Sequence, residues 1–168
     1  LVENTAQTVF NRLQELEDER DTLVERWIWE LIQNARDAAA DSELQIRIDR
    51  TPERVTFRHN GAPFRDKEIA HLIYHGSTKR EEAGIGRFGT GFVTTHLIAR
   101  QIGVRGLLRD GRGFDFTLDR KALDSDELRH AMEGSRNEFK RSLVPDKSPV
   151  DLPFTTEFEY PITADVVD

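Results

Sequence analysis

The sequence predicts an α+β domain, a two-layer α/β sandwich in which helices cover one face of a mixed, mostly antiparallel sheet. Two observations support this class. Segments with helical spacing of apolar residues alternate along the chain with short segments of alternating apolar and polar residues. The alternating segments also come in pairs joined by short turns, as antiparallel strands do. Because helix stripes and sheet faces must both be buried, this order indicates one layer of helices on one layer of strands.

The first forty residues predict two helices. Residues 2–17 place apolar side chains three or four positions apart, at Val2, Ala6, Val9, Phe10, Leu13 and Leu16. Residues 21–40 repeat the pattern with Leu23, Val24, Trp27, Ile28, Leu31, Ile32 and Ala35. Each stripe is wide enough to bury one face of a helix against a sheet.

The later segments follow one of the same two periods and are separated by turn-forming residues. The first half of them predicts strands at 44–49 and 55–57 around a turn at 51–53, then a turn at 60–63, a helix at 65–75 and a mobile polar loop at 75–82. The second half predicts a helix at 89–99, strands at 102–108 and 114–118 around a turn at 110–113, a helix at 125–143 and a closing strand at 154–160.

Composition indicates a single domain over residues 1–168. Hydrophobic residues make up 37% and charged residues 33%, with a formal net charge of −7. No apolar run approaches the roughly 20 residues that cross a bilayer, so we expect no membrane partner. The negative charge gives no indication of nucleic-acid binding. With no cysteine and no signal peptide we expect a cytoplasmic protein, and because the chain begins at Leu1 we expect it to be part of a longer one.

Glu30, Asn34 and Asp37 form the first candidate site. Their spacing of four and three residues places them on one side of a helix. An asparagine oxygen is a hard, neutral ligand suited to Mg²⁺, and a carboxylate one turn away could orient and deprotonate a water. Taken alone, the motif is equally compatible with a solvated polar helix face.

A cluster of glycines forms the second candidate site, at Gly84, Gly86, Gly89 and Gly91. Glycine lets successive backbone N–H groups approach an anion, and a helix that begins near Gly89 would add its positive end. The alternative is a surface loop without a ligand. Phe88 and Phe92 argue against it, because aromatic residues inside a loop indicate packing.

The residues around the glycine cluster exclude two other phosphate-binding motifs. The glycine cluster matches the Gly-x-Gly-x-x-Gly pattern of dinucleotide-binding folds, with Asp110 at about 20 residues further on. That pattern must follow a buried strand, whereas residues 77–83 are too polar to form one. A Walker-type loop ends in Gly-Lys-Ser/Thr, which this segment lacks.

Several motifs in order resemble the GHKL ATPases, the superfamily of gyrase B, heat-shock chaperones, histidine kinases and MutL. Residues 30–38 resemble the asparagine box, 57–61 the first glycine box, 84–92 the glycine box beside the lid and 155–161 the closing strand. The likeness covers about residues 20–162, behind an N-terminal helix, and is closest to the sacsin-like and heat-shock-90-like ATPases. It implies a Bergerat fold and an ATP-binding domain.

The resemblance implies a role for each matching residue. Glu30 would be the general base that activates water, and Asn34 would bind the Mg²⁺ that bridges the phosphates of ATP. The other implied ATP contacts are Asp37, His59, Gly61, Ser77, Thr78, Lys79, Gly84, Gly86, Arg87, Phe88, Gly89, Thr90, Gly91, Phe92 and Thr156. Positioning and charge neutralisation are the main needs of phosphoryl transfer, and these residue types supply both.

The resemblance also implies partners and a cycle. Lid closure on ATP would be coupled to downstream domains of the parent protein and to an ATP-dependent homodimer. A basic residue from a following domain often completes the site in relatives, so we expect weak activity of the isolated domain. A nucleotide-binding regulatory switch without hydrolysis is the alternative. A histidine kinase is disfavoured, because kinases typically carry Asn where this chain has Glu30.

His59 departs from the family pattern. The family has an adenine-reading Asp at this position, and Pro63 replaces a glycine of the same box. A neutral histidine can accept a hydrogen bond from the adenine amino group, whereas a protonated one cannot. Base selectivity therefore stays open, and a structural histidine at a strand end is the alternative.

Overall fold

The computed structural model describes residues 2–74 and 90–162, and this part of the chain has the predicted α+β class. Its five α-helices are α1 Val2–Asp18, α2 Arg20–Leu23, α3 Trp27–Ala39, α4 Asp66–Ile73 and α5 Ser125–Ser142. Its five strands are β1 Ile46–Arg50, β2 Arg54–His59, β3 Gln101–Leu107, β4 Gly113–Asp119 and β5 Thr156–Pro161. Among the described helices, none combines the length and apolarity that crossing a membrane requires.

The strands form one antiparallel sheet in the order β1-β2-β5-β3-β4. Two hairpins, β1–β2 and β3–β4, are close in sequence, and β5 pairs between them although it is last in the chain. One face of the sheet is buried with the inner sides of the helices in a single core. Its largest fully buried side chains include Phe57, Phe114, Phe116, Phe158 and Tyr160 from the sheet and Leu16, Leu31, Ile69 and Leu72 from the helices.

Turns and caps agree with the sequence. In the β1–β2 turn the Thr51 backbone N–H donates to the Arg54 carbonyl oxygen at 2.9 Å. The β3–β4 turn contains Gly111 with a φ of 91°, a left-handed conformation that glycine adopts without strain. α5 begins where the Asp124 carboxylate accepts from the Glu127 backbone N–H at 2.9 Å, which satisfies one open donor of the first turn.

The second predicted helix, residues 21–40, is interrupted near its start. α2 ends at Leu23, a 3₁₀ turn covers Val24–Arg26, and α3 begins at Trp27. Arg20 ties this region to the rest of the fold, because its Nη2 donates to the Leu97 carbonyl oxygen at 2.6 Å. The apolar spacing continues through the break, so periodicity alone predicts one helix. The structure instead has three helical segments here, and the Arg20 contact lies at the first of them.

The helix predicted at 89–99 is a 3₁₀ helix, Thr90–Leu97. Six successive residues, Phe92 to Leu97, are buried, so this segment has no solvent face. Its β-branched residues have restricted χ1 rotamers in an α-helix. Because the segment is packed on every side, the surrounding core rather than an amphipathic stripe determines how tightly it winds.

Arg120 is a charged residue inside the core. It is 2% exposed, and its Nη2 donates to the carbonyl oxygens of Leu72 and Ile73 at 2.9 and 2.5 Å. These carbonyls belong to the last turn of α4, whose dipole favours a cation. Burial lowers the pKa of Arg120 to about 10. The guanidinium therefore caps α4 and joins it to the end of β4.

The other face of the sheet carries a row of alternating charges that crosses all five strands. Asp49 of β1 pairs with Arg58 of β2 at 2.7 Å, and Arg58 pairs with Glu157 of β5 at 2.5 Å. Glu157 also pairs with Arg105 of β3, which reaches Asp115 of β4 at 3.2 Å. Burial acts to lower the pKa of Arg105, but hydrogen bonds to Glu157 and Glu159 outweigh it and raise that pKa. We call Asp49, Arg58, Glu157, Arg105 and Asp115 the charge ladder.

Glu157 is the central member of the charge ladder, and we expect Glu157→Gln to destabilise the fold. The residue is only 7% exposed and serves two guanidinium groups. Loss of its charge removes the most buried carboxylate from both arginines and leaves them only the more exposed acids of neighbouring positions, so the free energy of unfolding should fall by about 2–3 kcal/mol. Urea denaturation measures the change.

Asp115→Asn is the matched control, since the Asp115 side chain is 54% exposed at the end of the same ladder. Its effect should stay below about 1 kcal/mol. Equal losses for the two variants would show that Glu157 contributes no more to the free energy of unfolding than a residue at the end of the ladder.

Candidate functional site

Helix α3 carries the first candidate motif with one side in the core. Leu31 and Ala35 are fully buried and anchor the helix. Glu30 is half-buried and Asn34 is 9% exposed, while Asp37 is exposed. Residues four apart share a helix face, so Glu30, Asn34 and Ala38 form one stripe along α3. The two ends of this stripe meet the other two motifs.

At the first end, Glu30 lies directly against Gly91 of the 3₁₀ helix. A Cβ atom added to Gly91 would lie 2.6 Å from Glu30 Cδ and closer still to its Oε2. Real Cβ atoms do not approach other atoms so closely. Only glycine therefore lets the carboxylate rest on the backbone at this point, and the asparagine-containing helix contacts the last glycine of the glycine cluster.

At the other end, Ala38 lies against the loop that follows β2. The Ala62 backbone N–H donates to the Ala38 carbonyl oxygen at 2.9 Å. A Cβ atom on Gly61 would lie 2.7 Å from Ala38 Cβ and 2.9 Å from His59 Nδ1. The Thr155 hydroxyl holds this loop by donating to the Gly61 carbonyl oxygen at 2.5 Å. The loop is thus closed between α3 and the start of β5.

His59 ends β2 beneath this loop and is 1% exposed. Its Nδ1 accepts a hydrogen bond from the Gly61 backbone N–H at 3.0 Å. An imidazole nitrogen that accepts carries no proton, so the neutral ring has its proton on Nε2 and acts there as a donor. The accepting role that an Asp would supply is therefore not available from Nδ1, which the backbone already uses.

Two buried polar atoms near this loop have no hydrogen-bond partner among the described residues. They are Asn34 Nδ2, one turn before Ala38, and the hydroxyl of Thr156, which is paired with His59 across β2 and β5. A buried polar group without a partner costs about 1–3 kcal/mol unless a ligand or a water satisfies it. The described residues hold four more such atoms, in Thr95, Arg120, Arg129 and Tyr160, and Asn34 and Thr156 are the two that belong to the predicted site. The positions of Asn34 and Thr156 make the junction of α3 with the ends of β2 and β5 the candidate ligand site.

Six of the predicted residues lie on α3 or at the ends of its stripe, with Glu30 and Gly91 at one end, Asn34 in the middle, and His59, Gly61 and Thr156 at the other end. Asp37 lies on α3 beside Ala38 and faces solvent. Phe92 is 2% exposed and packs in the core, with its ring 5.4 Å from that of Phe158. Thr90 begins the 3₁₀ helix. The predictions at Ser77, Thr78, Lys79, Gly84, Gly86, Arg87, Phe88 and Gly89, and the loop at 75–82, lie outside the described residues.

Two contacts of the site were not anticipated from the sequence. Ala38 is the surface on which Gly61 rests, and Thr155 fixes the Gly61 carbonyl. The Thr155-Thr156 pair at the start of the closing strand could have predicted these contacts. Adjacent residues of a strand point to opposite faces, because only alternate residues share a face. Two adjacent threonines can therefore serve different partners.

Asn34 and Glu30 are the residues of this region whose side-chain oxygens could ligate a cation. In the described part of the chain, no group of three or more His, Cys, Asp or Glu side chains converges as a metal site. One amide on α3, with Glu30 a turn away, is the sparse oxygen set that Mg²⁺ accepts while it keeps water and phosphate ligands.

Comparison with protein-family models and with curated proteins finds no match to this sequence.

The contact of Gly91 with Glu30 is directly testable. Gly91→Ala should lower the free energy of unfolding by about 1–3 kcal/mol, because the new methyl group collides with the carboxylate. In the double variant with Glu30→Ala most of this loss should disappear, since the colliding atoms are gone. Thermal or urea denaturation measures both.

Gly134→Ala in α5 is the matched control, because a Cβ there meets nothing within 4 Å. It should be neutral or stabilising by up to about 1 kcal/mol. If Glu30→Ala brings no relief to Gly91→Ala, the two residues are not in contact.

Proposed function

We propose that this chain is a GHKL-type domain of the Bergerat fold that binds Mg-ATP and hydrolyses it. One observation carries the proposal, namely that three motifs far apart in sequence meet along α3. The Glu30 carboxylate rests on Gly91, and Ala38 rests on Gly61 beside His59 and Thr156. Such convergence is what a nucleotide site needs, with the catalytic carboxylate and the phosphates at one end and the adenine at the other.

Glu30 is the proposed general base. Its carboxylate lies half-buried against the backbone of the 3₁₀ helix, so its position is held by packing rather than by a flexible loop. A base fixed in this way can orient a water for in-line attack on the terminal phosphate and accept its proton. A general base contributes typically about 10²–10⁴-fold to the rate.

The phosphates are proposed to lie between Asn34 and the start of the 3₁₀ helix. The backbone N–H groups at the start of a helix have no partner within it and favour an anion. Asn34 would supply its amide oxygen to the Mg²⁺ that accompanies ATP and neutralises charge on the phosphates. Its Nδ2, buried and unpartnered among the described residues, would donate to a phosphate oxygen or a water.

The adenine end of the pocket is proposed to consist of His59, Gly61 and Thr156. Gly61 forms the floor of this end, because without a side chain its backbone lies directly against Ala38 and His59. Thr156 offers a hydroxyl that can donate or accept. His59 is proposed to shape this end, because its Nδ1 accepts from the Gly61 backbone N–H and holds the loop in place.

In the larger protein this domain is proposed to be a cytoplasmic motor or switch. Lid closure on ATP would alter contacts with downstream domains or with a second copy of the chain, and hydrolysis would reset the cycle. A regulatory switch that binds ATP without hydrolysis uses the same pocket and differs only in the role of Glu30.

We expect Glu30→Gln to separate binding from turnover. In the full-length parent protein, phosphate release should fall by about 10²–10⁴-fold while ATP still binds. Asn34→Ala should weaken Mg-ATP binding by about 10–100-fold, because it removes a buried charge-assisted contact. Gln33→Ala, at an exposed position on the same helix, is the control and should change neither.

Each outcome has a distinct meaning. Unchanged turnover in Glu30→Gln rules out Glu30 as the base. Tight binding with no turnover in the unsubstituted protein identifies the regulatory switch instead. Unchanged binding in Asn34→Ala contradicts the proposed site itself.

Base selectivity is tested by thermal shift with ATP, GTP and ADP, each with and without Mg²⁺. ATP at 100 times its dissociation constant should stabilise the chain by about 2.7 kcal/mol. His59→Asp should raise the preference for ATP over GTP by about tenfold, because a carboxylate accepts from the adenine amino group and repels guanine O6. His130→Asp, at an exposed position of α5, should leave the ratio unchanged. An unchanged ratio in His59→Asp means that His59 does not face the base.

A further inference from the structure

A pocket opens at the C-terminal end of the 3₁₀ helix. It has a volume of about 310 Å³, within the size range of small-molecule sites. The residues that give it its character are Glu17, Arg20, Arg100 and Lys121. They come from α1, from α2, from the segment before β3 and from the segment after β4. Gly91, which touches Glu30, lies near the opposite end of the same 3₁₀ helix.

The charged groups of this pocket are unbalanced. Three cationic side chains face one carboxylate, although the chain as a whole carries a formal charge of −7. Glu17 is shared by both guanidinium groups, with Oε1 at 3.2 Å from Arg20 Nη1 and 2.9 Å from Arg100 Nη2. Asp119 lies beside the rim and accepts from the Lys121 backbone N–H and from Gln101 Nε2. Two carboxylates against two arginines and a lysine still leave an excess of one positive charge.

The arginines are held in place before any ligand arrives. The Arg20 Nη2 donates to the Leu97 carbonyl oxygen at 2.6 Å, and Glu17 orients the Arg100 guanidinium. Both side chains are about one-third exposed or less, so their heads are partly withdrawn from water. Each guanidinium has five N–H donors, more than these contacts use. Pre-organised, partly desolvated donors of this kind recognise oxyanions.

We propose that this pocket binds a small oxyanion with more than one negative charge, carrying phosphate or carboxylate groups. Arg20 and Arg100 supply the fixed donors, and Lys121, which is exposed at the rim, supplies a movable charge. Glu17 limits the affinity by occupying the same donors. The site is separate from the proposed nucleotide site, since neither Asn34 nor Gly61 lines it.

The test is titration calorimetry of the whole chain at low ionic strength with two probes, inorganic phosphate and citrate. Binding of phosphate alone assigns a phosphate-bearing ligand, and binding of citrate assigns a carboxylate-bearing one. Lys121→Gln should weaken binding about two- to fivefold, because it removes one exposed charge. Glu17→Gln should strengthen binding by about fivefold, because the amide oxygen can still orient the arginines while the competing negative charge is gone.

Two control variants distinguish binding in this pocket from binding elsewhere on the chain. Lys67→Gln, an equivalent change at an exposed position of α4, should have no effect. Asn34→Ala should also leave anion binding unchanged. If this variant loses anion binding, the anion binds in the proposed nucleotide site instead. Absence of binding by both probes overturns the proposal, as does binding that Lys121→Gln and Glu17→Gln leave unchanged. A gain of affinity in Glu17→Gln cannot arise from misfolding.

Discussion

The charge ladder on the outer face of the sheet depends on the strand register on which the rest of the structure also depends. Arg58, Glu157 and Arg105 lie directly opposite one another on β2, β5 and β3. A slip of one residue would place like or neutral groups opposite each other and would turn every buried side chain outward. The same register sets His59 opposite Thr156 on the buried face. The charge pairing outside and the polar pairing inside thus share one register, which the buried apolar face specifies.

Close backbone approach is the second constraint, and it shapes the candidate site. Helix α3 meets one glycine near each end of its Glu30–Asn34–Ala38 stripe. A side chain at Gly91 or Gly61 would push the helix away from the 3₁₀ helix or from the loop after β2. The polar atoms along the stripe are consequently enclosed, and Asn34 Nδ2 is left without a partner among the described residues. Enclosure with unmet hydrogen bonding distinguishes this region from an ordinary polar helix face.

The 3₁₀ helix Thr90–Leu97 connects the two candidate sites. Gly91 near its start contacts Glu30, and the carbonyl oxygen of its last residue, Leu97, accepts from Arg20 of the cationic pocket. Between these points the segment is buried on all sides. The segment therefore contacts both regions through its own backbone.

Local patterns in the sequence determined the α+β class, the two hairpins, α4 and α5, because side-chain periods of two and 3.6 residues act within each segment. They also placed Glu30 and Asn34 on one helix face. Only the tertiary structure decided the position of β5 between the hairpins, the break before Trp27, the winding of the 3₁₀ helix and the tautomer of His59. Each depends on partners distant in sequence, such as Glu157 for Arg58 and Leu97 for Arg20. Such pairings leave no periodic signal, since they arise only when the chain has closed on itself.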